Sequence, residues 1–428
     1  MRTLGKLLVM VFAVCMAGQV QAQQINFDRN LDNFRYPDKR GVNVFEAPKD
    51  TLSTFDGVDV RVGGSFGLQY QAIENENAGL AGYELKEAGS NFNLATANMD
   101  LDVALYDGVR MHLRTYLSSR HHKSPYVKGG YFQVDKLDFI KEGFLEDLMQ
   151  YTTIRIGHME NNYGDAHFRR SDNAQAIYNP FVGNLIMDAF TTEVGAELYY
   201  RRNGFIGMVG FTNGKLNQSV SENDYGKTGG ASFLAKLGYD KQINNDLRVR
   251  LTGSMYNTGY IPNTYLYSAD RAGARYYNVM QALGSESDDF RASRYDPKLS
   301  NEITAIMINP FVKYRGLEFF GTIETATGKG SAEVDDRTAN QYAGELIYRF
   351  GLDENMYIGA RYNVVDAEDI SGQDVNINRF QAAAGWFMTK NILLKAEYVV
   401  QNYDDFSQTS ILNDGKFNGA TVEAVISF

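Results

Sequence analysis

Apolar and polar residues alternate along most of this chain. Met99, Leu101, Val103 and Leu105 share one face of a stretch whose other face carries Asp100 and Asp102. Val109, Met111, Leu113, Thr115 and Leu117 alternate with Arg110, His112, Arg114 and Tyr116. The same period sets Val194, Ala196, Leu198 and Tyr200 against Glu193, Glu197 and Arg201, and Leu247, Val249 and Leu251 against Arg248 and Arg250. It returns with Met356, Ile358, Ala360 and Tyr362 against Tyr357 and Arg361, and with Ile392, Leu394, Ala396 and Tyr398 against Lys395 and Glu397. A period of two is a β-strand with two different faces. About sixteen such strands are predicted, near 58–73, 91–106, 109–121, 129–138, 151–160, 191–201, 204–212, 228–240, 245–257, 301–314, 316–327, 340–350, 355–366, 376–389, 391–403 and 414–428. Most are near or above the ~9–11 residues that cross a bilayer at a tilt.

The connections alternate in length. Asp107-Gly108, Asn203-Gly204, Arg315-Gly316, "GLDEN" and Lys390-Asn391 read as tight turns, and between them lie long polar segments at 74–90, 161–190, 213–227, 258–300, 328–339, 367–375 and 404–413. Tyr200, Tyr239, Tyr314, Tyr348 and Phe350 gather beside the tight turns, where rings with one apolar and one wet end suit a headgroup level. The expected fold is therefore all-β: a transmembrane antiparallel β-barrel of about 16 strands, with short periplasmic turns and long extracellular loops. In lipid every backbone N–H and C=O must be paired, so the sheet must close. The final "TVEAVISF" alternates to the last residue, with Val425 as the one impurity. The last strand is expected to pair with the first, and the outward terminal Phe428 to serve as a signal to the barrel assembly machinery.

The start of the chain sets the compartment. "MRTLGKLLVMVFAVCMAGQVQA" has Arg2 and Lys6, an apolar stretch and a small-residue cleavage site, which is a signal peptide over 1–22. Residues 23–57, polar and turn-rich, are expected to be a periplasmic tail or an inserted plug ahead of a barrel at 58–428; residues 141–150 could form a short helix. The single cysteine, Cys15, lies in the leader, so no disulfide is expected. The mean hydropathy of −0.35 does not argue for a soluble protein, because only alternate residues of a barrel strand meet lipid. The formal charge is −10, or −12 once Arg2 and Lys6 leave with the leader, which argues against a nucleic-acid partner.

Chemistry is sparse. Adjacent His121 and His122 would point to opposite faces of a strand, and His158, Glu160, Asp165 and His167 match no hydrolase or metal motif. "SESDD" and "EVDD" lack the spacing of a calcium loop. No enzyme activity, cofactor or metal is expected. The inward faces say more. Arg110, Arg114, Arg155, Arg248, Arg250, Arg349 and Arg361, with Arg61, Arg120, Arg201 and Arg379, fall on the polar side, as do Glu193, Glu197, Glu318, Glu324, Glu345, Glu397 and Glu423. In a water-filled tube such charges cost little and shape the field, making them candidate pore-lining residues; paired across strands they would only fill the wall. The loop 161–190 carries Ile177, Phe181, Val182, Leu185, Ile186 and Met187, too apolar for a free loop, and is expected to shelter inside the barrel as a constriction with Arg169, Arg170 and Asp172.

One region bears a family likeness. "IRIGHM" (154–159), Tyr163-Gly164, "RRSDN" (169–173), "TEVGAEL" (192–198), "GFTNG" (210–214) and the terminal Phe428 resemble the phosphate-selective porin O and P family, with the close match over 152–215. The resemblance implies a sixteen-stranded barrel, a homotrimer and a third loop folded inward to narrow the pore. Asn162-Tyr163 stands where that family has Pro-Phe, and its lysine-rich anion site aligns with no positions here. The expected function is passive diffusion of small hydrophilic solutes and ions through a porin among the lipids of a Gram-negative outer membrane, with a bias toward anions left open. The alternatives are a phosphate- or other anion-specific channel, and a hydrophobic-solute channel with an N-terminal plug.

Overall fold

In the computed structural model of the chain, residues 34–49, 55–93, 96–118, 122–171, 175–216, 222, 226, 228–259, 261–268, 275–285 and 291–428 are described. The expected leader at 1–22, the start of segment 23–57, Arg120, His121, Asp172 and most of "SESDD" lie outside them. Among the described residues no helix is long and apolar enough to cross a membrane.

The strands are β1 (Asp59–Glu76), β2 (Ser90–Phe92), β3 (Thr96–Tyr106), β4 (Val109–Ser118), β5 (His122–Val134), β6 (Thr152–Glu160), β7 (Thr192–Arg202), β8 (Phe205–Thr212) and β9 (Ser232–Gln242). They continue as β10 (Leu247–Thr258), β11 (Glu302–Tyr314), β12 (Leu317–Lys329), β13 (Arg337–Phe350), β14 (Met356–Glu368), β15 (Asp374–Thr389), β16 (Ile392–Asp404) and β17 (Gly415–Ser427). Short β2 and β3 lie along one edge of β1 and occupy one strand position, so the closed antiparallel barrel has 16 strands. Closure is made by β1 and β17, in register from Ser65↔Ser427 to Glu76↔Lys416. The last rung is reciprocal: Phe428 N–H donates to Gly64 O at 2.9 Å and Gly64 N–H to Phe428 O at 3.0 Å.

The alternation puts apolar side chains outward. Leu346 is 52% exposed while its neighbour Glu345 is 3% exposed. Val422, Ile426 and Phe428 face out, and Thr421, Glu423 and Ser427 are buried inside. Val425, the residue that breaks the closing pattern, points inward and packs with Ile177, Phe181, Tyr357, Phe387 and Leu393. Its apolar side chain meets protein there, so the position needs no polar residue.

The fourth strand sits seven residues earlier than its predicted start. β4 and β5 pair with register shifts at Arg114/Thr115 and Tyr116/Ser118. Gly129 at φ +159° is followed by Gly130, and bulges of this kind erase the period of two that a pattern search relies on. The shift also turns Lys128 toward the rings of Tyr116 and Phe190, at 5.0 and 5.1 Å. The expected short helix is α1 (Glu146–Met149), in the connection between β5 and β6.

Candidate functional site

The lumen is filled, and its filling comes from three segments that the wall side chains hold. At the short-turn rim lies segment 34–49. Its one-turn helix, Lys39–Gly41, is capped by Asp38, whose carboxylate accepts from Arg40 N–H at 2.9 Å. Lys39 N–H donates to Lys390 O in the turn between β15 and β16, at 2.8 Å. Beyond it the chain crosses the mouth. Arg248 donates to Asn43 O at 2.9 Å, Arg201 to Ala47 O at 2.8 Å and Arg110 to Pro48 O at 3.1 Å. Phe45 meets Phe311 and Phe168 edge to face, with centroids at 5.4 and 5.9 Å. Lys49 donates to the carbonyls of Asp135 and Thr152, both at 2.8 Å.

Above this segment, loop 161–191 is folded inward. Gly164 makes the close approach possible: it has φ +69°, and a Cβ there would lie 2.2 Å from Met307 Sδ on β11. Ile177, Phe181, Val182, Ile186 and Met187 are fully buried. Wall side chains satisfy the loop backbone, as a buried irregular segment requires. Lys395 donates to Ala176 O and Phe181 O at 3.0 and 2.9 Å, Arg361 to Gly183 O at 2.8 Å and Arg379 to Asn184 O at 2.6 Å. Gln341 binds both groups of Met187, accepting from N–H at 2.9 Å and donating to O at 2.8 Å. Nearer the long-loop rim, Phe190 N–H donates to Leu266 O at 2.8 Å, joining this loop to the one between β10 and β11. Tyr163 and Tyr267, one from each loop, donate to the same oxygen of Glu324 at 3.0 and 2.7 Å.

Two buried charge networks join segment 34–49, the inward loop and the wall. In one, Arg250 makes a bidentate pair with Asp165 at 2.7 Å and another with Glu46 at 2.8 and 3.0 Å, and Lys236 lies 3.1 Å from Asp165. Burial opposes the charge on Glu46, but Arg250 and Lys236 outweigh it and hold the carboxyl far below its usual range. In the other, Arg169 bridges Glu318 and Glu345 at 3.4 and 3.2 Å and also binds Asn43. Arg349 pairs with Glu318, and Arg361 with Glu345 at 2.8 Å. Arg170 forms a fork with Asp188 at 2.8 and 2.7 Å.

Of the other residues expected to line the lumen, Arg114 makes a fork with Asp100 at 2.8 Å and Arg248 one with Asp240 at 2.9 and 2.7 Å. Arg155 lies between the rings of Tyr131 and Tyr199 and donates to Gln133 at 2.9 Å. Glu193 accepts from Tyr256 at 2.8 Å, and Glu197 from Asn162 N–H at 3.0 Å. His167 and Glu160 are 2.8 Å apart, while His158 is paired with Thr192, so the loop does not gather the two histidines. Among the described residues no group of three or more His, Cys, Asp or Glu side chains could hold a metal. The pattern put Lys395 on the polar face of its strand without giving it a role, and it did not single out Lys236. An inward lysine on an alternating strand beside a loop rich in apolar residues was the available signal.

Cavities of about 460 and 350 Å³ flank segment 34–49, the first lined by Lys39, Arg248, Lys313, Arg315 and Arg349 among others, the second by Phe45, Glu46, Arg201 and Arg248. Deeper in, the void among Arg169, Arg170, Asp188, Glu345 and Arg361 is only about 20 Å³, room for about one water. The Arg250 network is testable. Arg250→Met leaves Glu46 and Asp165 short of a buried partner, and removing one member of such a set costs about 3–5 kcal/mol. Urea unfolding in lipid should show a loss of that size. An unchanged midpoint would mean that the network contributes nothing to stability.

No protein-family model and no curated protein matches the sequence. Solved structures do match the fold. An anion-selective porin from Comamonas acidovorans aligns with TM-score 0.52 at 11% identity, over 87% of this chain and 100% of that one. OprB of Pseudomonas putida aligns with TM-score 0.52 at 12% identity, over 87% and 94%. OmpT of Vibrio cholerae, an outer membrane protein solved in a trimer form, aligns with TM-score 0.51 at 12% identity, over 87% and 100%. At these identities the likeness is one of fold.

Proposed function

We propose that this chain is an outer-membrane porin for passive diffusion of small hydrophilic solutes and ions, with the short-turn rim toward the periplasm. The observation that carries the reading is the reversal of sides: an apolar belt outside a closed barrel, and inside it buried charges, among them Arg169, Arg170, Asp188, Glu345 and Arg361 around one small void. Three of those five are cationic, which supports a bias toward anions. The anion-selective porin among the fold neighbours points the same way, while the lysine-rich anion site of the phosphate-selective porin O and P family has no counterpart here. Segment 34–49 acts as a plug in this reading. Its presence also supports a second one, a hydrophobic-solute channel, but the charged constriction favours hydrophilic traffic. A homotrimer is consistent with the trimeric neighbour. Single-channel conductance, with reversal potentials in a salt gradient, tests the proposal; a reconstituted barrel that passes no ions in any variant would overturn it.

Assembly gives a second handle. Phe428 carries the last rung of the seam and an outward ring 43% exposed. As the signal to the assembly machinery, its deletion should leave export intact and lower the amount of heat-modifiable barrel in the outer membrane. Full wild-type levels of assembled protein would remove Phe428 from that role.

A further inference from the structure

The way the wall holds segment 34–49 differs from ordinary packing. Arg248 on β10, Arg201 on β7 and Arg110 on β4 each donate to a main-chain carbonyl of the segment, those of Asn43, Ala47 and Pro48. Such contacts take any peptide, because every residue offers the same carbonyl. Between them the wall and the inward loop select side chains. An aromatic slot of Phe168 and Phe311 receives Phe45, Arg250 and Lys236 receive Glu46, and Asp135 with the carbonyl of Thr152 receives Lys49. Carbonyl contacts for affinity and alternate pockets for specificity are the division of labour in peptide recognition. The stretch 43–49 belongs to no strand or helix, so it binds as a ligand would, and the cavities of about 460 and 350 Å³ beside it leave the mouth wider than the segment.

We propose that the short-turn mouth is a peptide-binding site, that residues 34–49 occupy it in cis, and that its further ligands are short peptides carrying an aromatic–acidic pair followed by a basic residue. The site itself does not rest on the porin reading.

The test uses a variant lacking residues 34–49, its folding checked by heat-modifiable mobility, and a fluorescent synthetic peptide of sequence FRYPDKRGVNVFEAPK. Anisotropy should show saturable binding to the deletion variant and much weaker binding to the full chain. Phe45→Ala or Glu46→Gln in the peptide should weaken binding roughly tenfold, the usual scale for truncating an interface anchor. Arg201→Ala with Arg248→Ala in the deleted barrel should do the same. If the deletion variant does not fold, the full chain carrying Phe45→Ala and Glu46→Lys replaces it, and should take up more peptide than the unaltered chain. No saturable binding to a folded variant, or equal binding of a scrambled peptide, overturns the site. The two readings fail separately: a barrel that binds peptide and passes no ions keeps the site and refutes the porin, and one that conducts without binding does the reverse.

Discussion

Removing residues 34–49 should raise the open conductance of the reconstituted barrel several-fold. The segment separates the two cavities of the short-turn mouth, and it also anchors the loop above it. Arg35 donates to Phe168 O at 3.0 Å and lies 3.6 Å from the Tyr178 ring centroid, while Tyr178 donates to Tyr36 O at 2.7 Å. Asn43 donates to Glu318 at 2.7 Å and accepts from Arg169, and Glu46 shares Arg250 with Asp165. Without these ties the loop between β6 and β7 loses its support from below, around a void that now admits about one water. Conductance should therefore become both larger and noisier. Traces identical to wild type would show that the segment is not what limits the flow.

The second large effect concerns Arg169 and Arg170. Arg169→Ala with Arg170→Ala removes two positive charges from the inward-folded loop between β6 and β7. Glu318 keeps Arg349, Glu345 keeps Arg361 and Asp188 keeps Arg294 at 3.5 Å, so no carboxylate is stranded. A fixed charge about 8 Å from a passing ion is worth roughly 2 kcal/mol at an effective dielectric near ~20, enough to reorder ion preference. Reversal potentials at low salt should move toward cations. The shift should fade near 1 M salt, where the Debye length falls to about 3 Å. Wild-type reversal potentials at low salt would place ion passage away from these residues.

The wall was legible in the sequence, and its contents largely were not. Lipid imposes one rule on every outward position, so Val194, Leu198 and Leu251 could be assigned from spacing alone. The inward positions obey no such rule, because an inward arginine can face water, a carboxylate or a loop carbonyl. Arg361 and Arg379 look alike in the pattern, yet Arg361 pairs with Glu345 as well as the loop, and Arg379 donates to Asn184 O and Ser293 O. The better signal was the exceptions. Ile347, Phe387, Leu393 and Val425 are apolar on the inward face, and all four pack around loop residues 176–181. Where a barrel strand turns an apolar residue inward, something other than water is there. Segment 34–49 gave less of a sign: Phe311 and Phe320 turn inward onto Phe45, but its contacts with Arg248, Arg201 and Arg110 run through its own carbonyls, which every sequence possesses.

The seam between β1 and β17 joins the two ends of the sheet, and segment 34–49 comes before β1 in the chain. The filler is therefore synthesised before any of the wall that surrounds it, while the strand that shuts the ring is synthesised last. A ring that closed around an empty bore would then have to swallow its own beginning through the short-turn mouth. A sheet that curls around the waiting segment needs no such threading, and the arginines of β4, β7 and β10 can take its carbonyls as the ring closes.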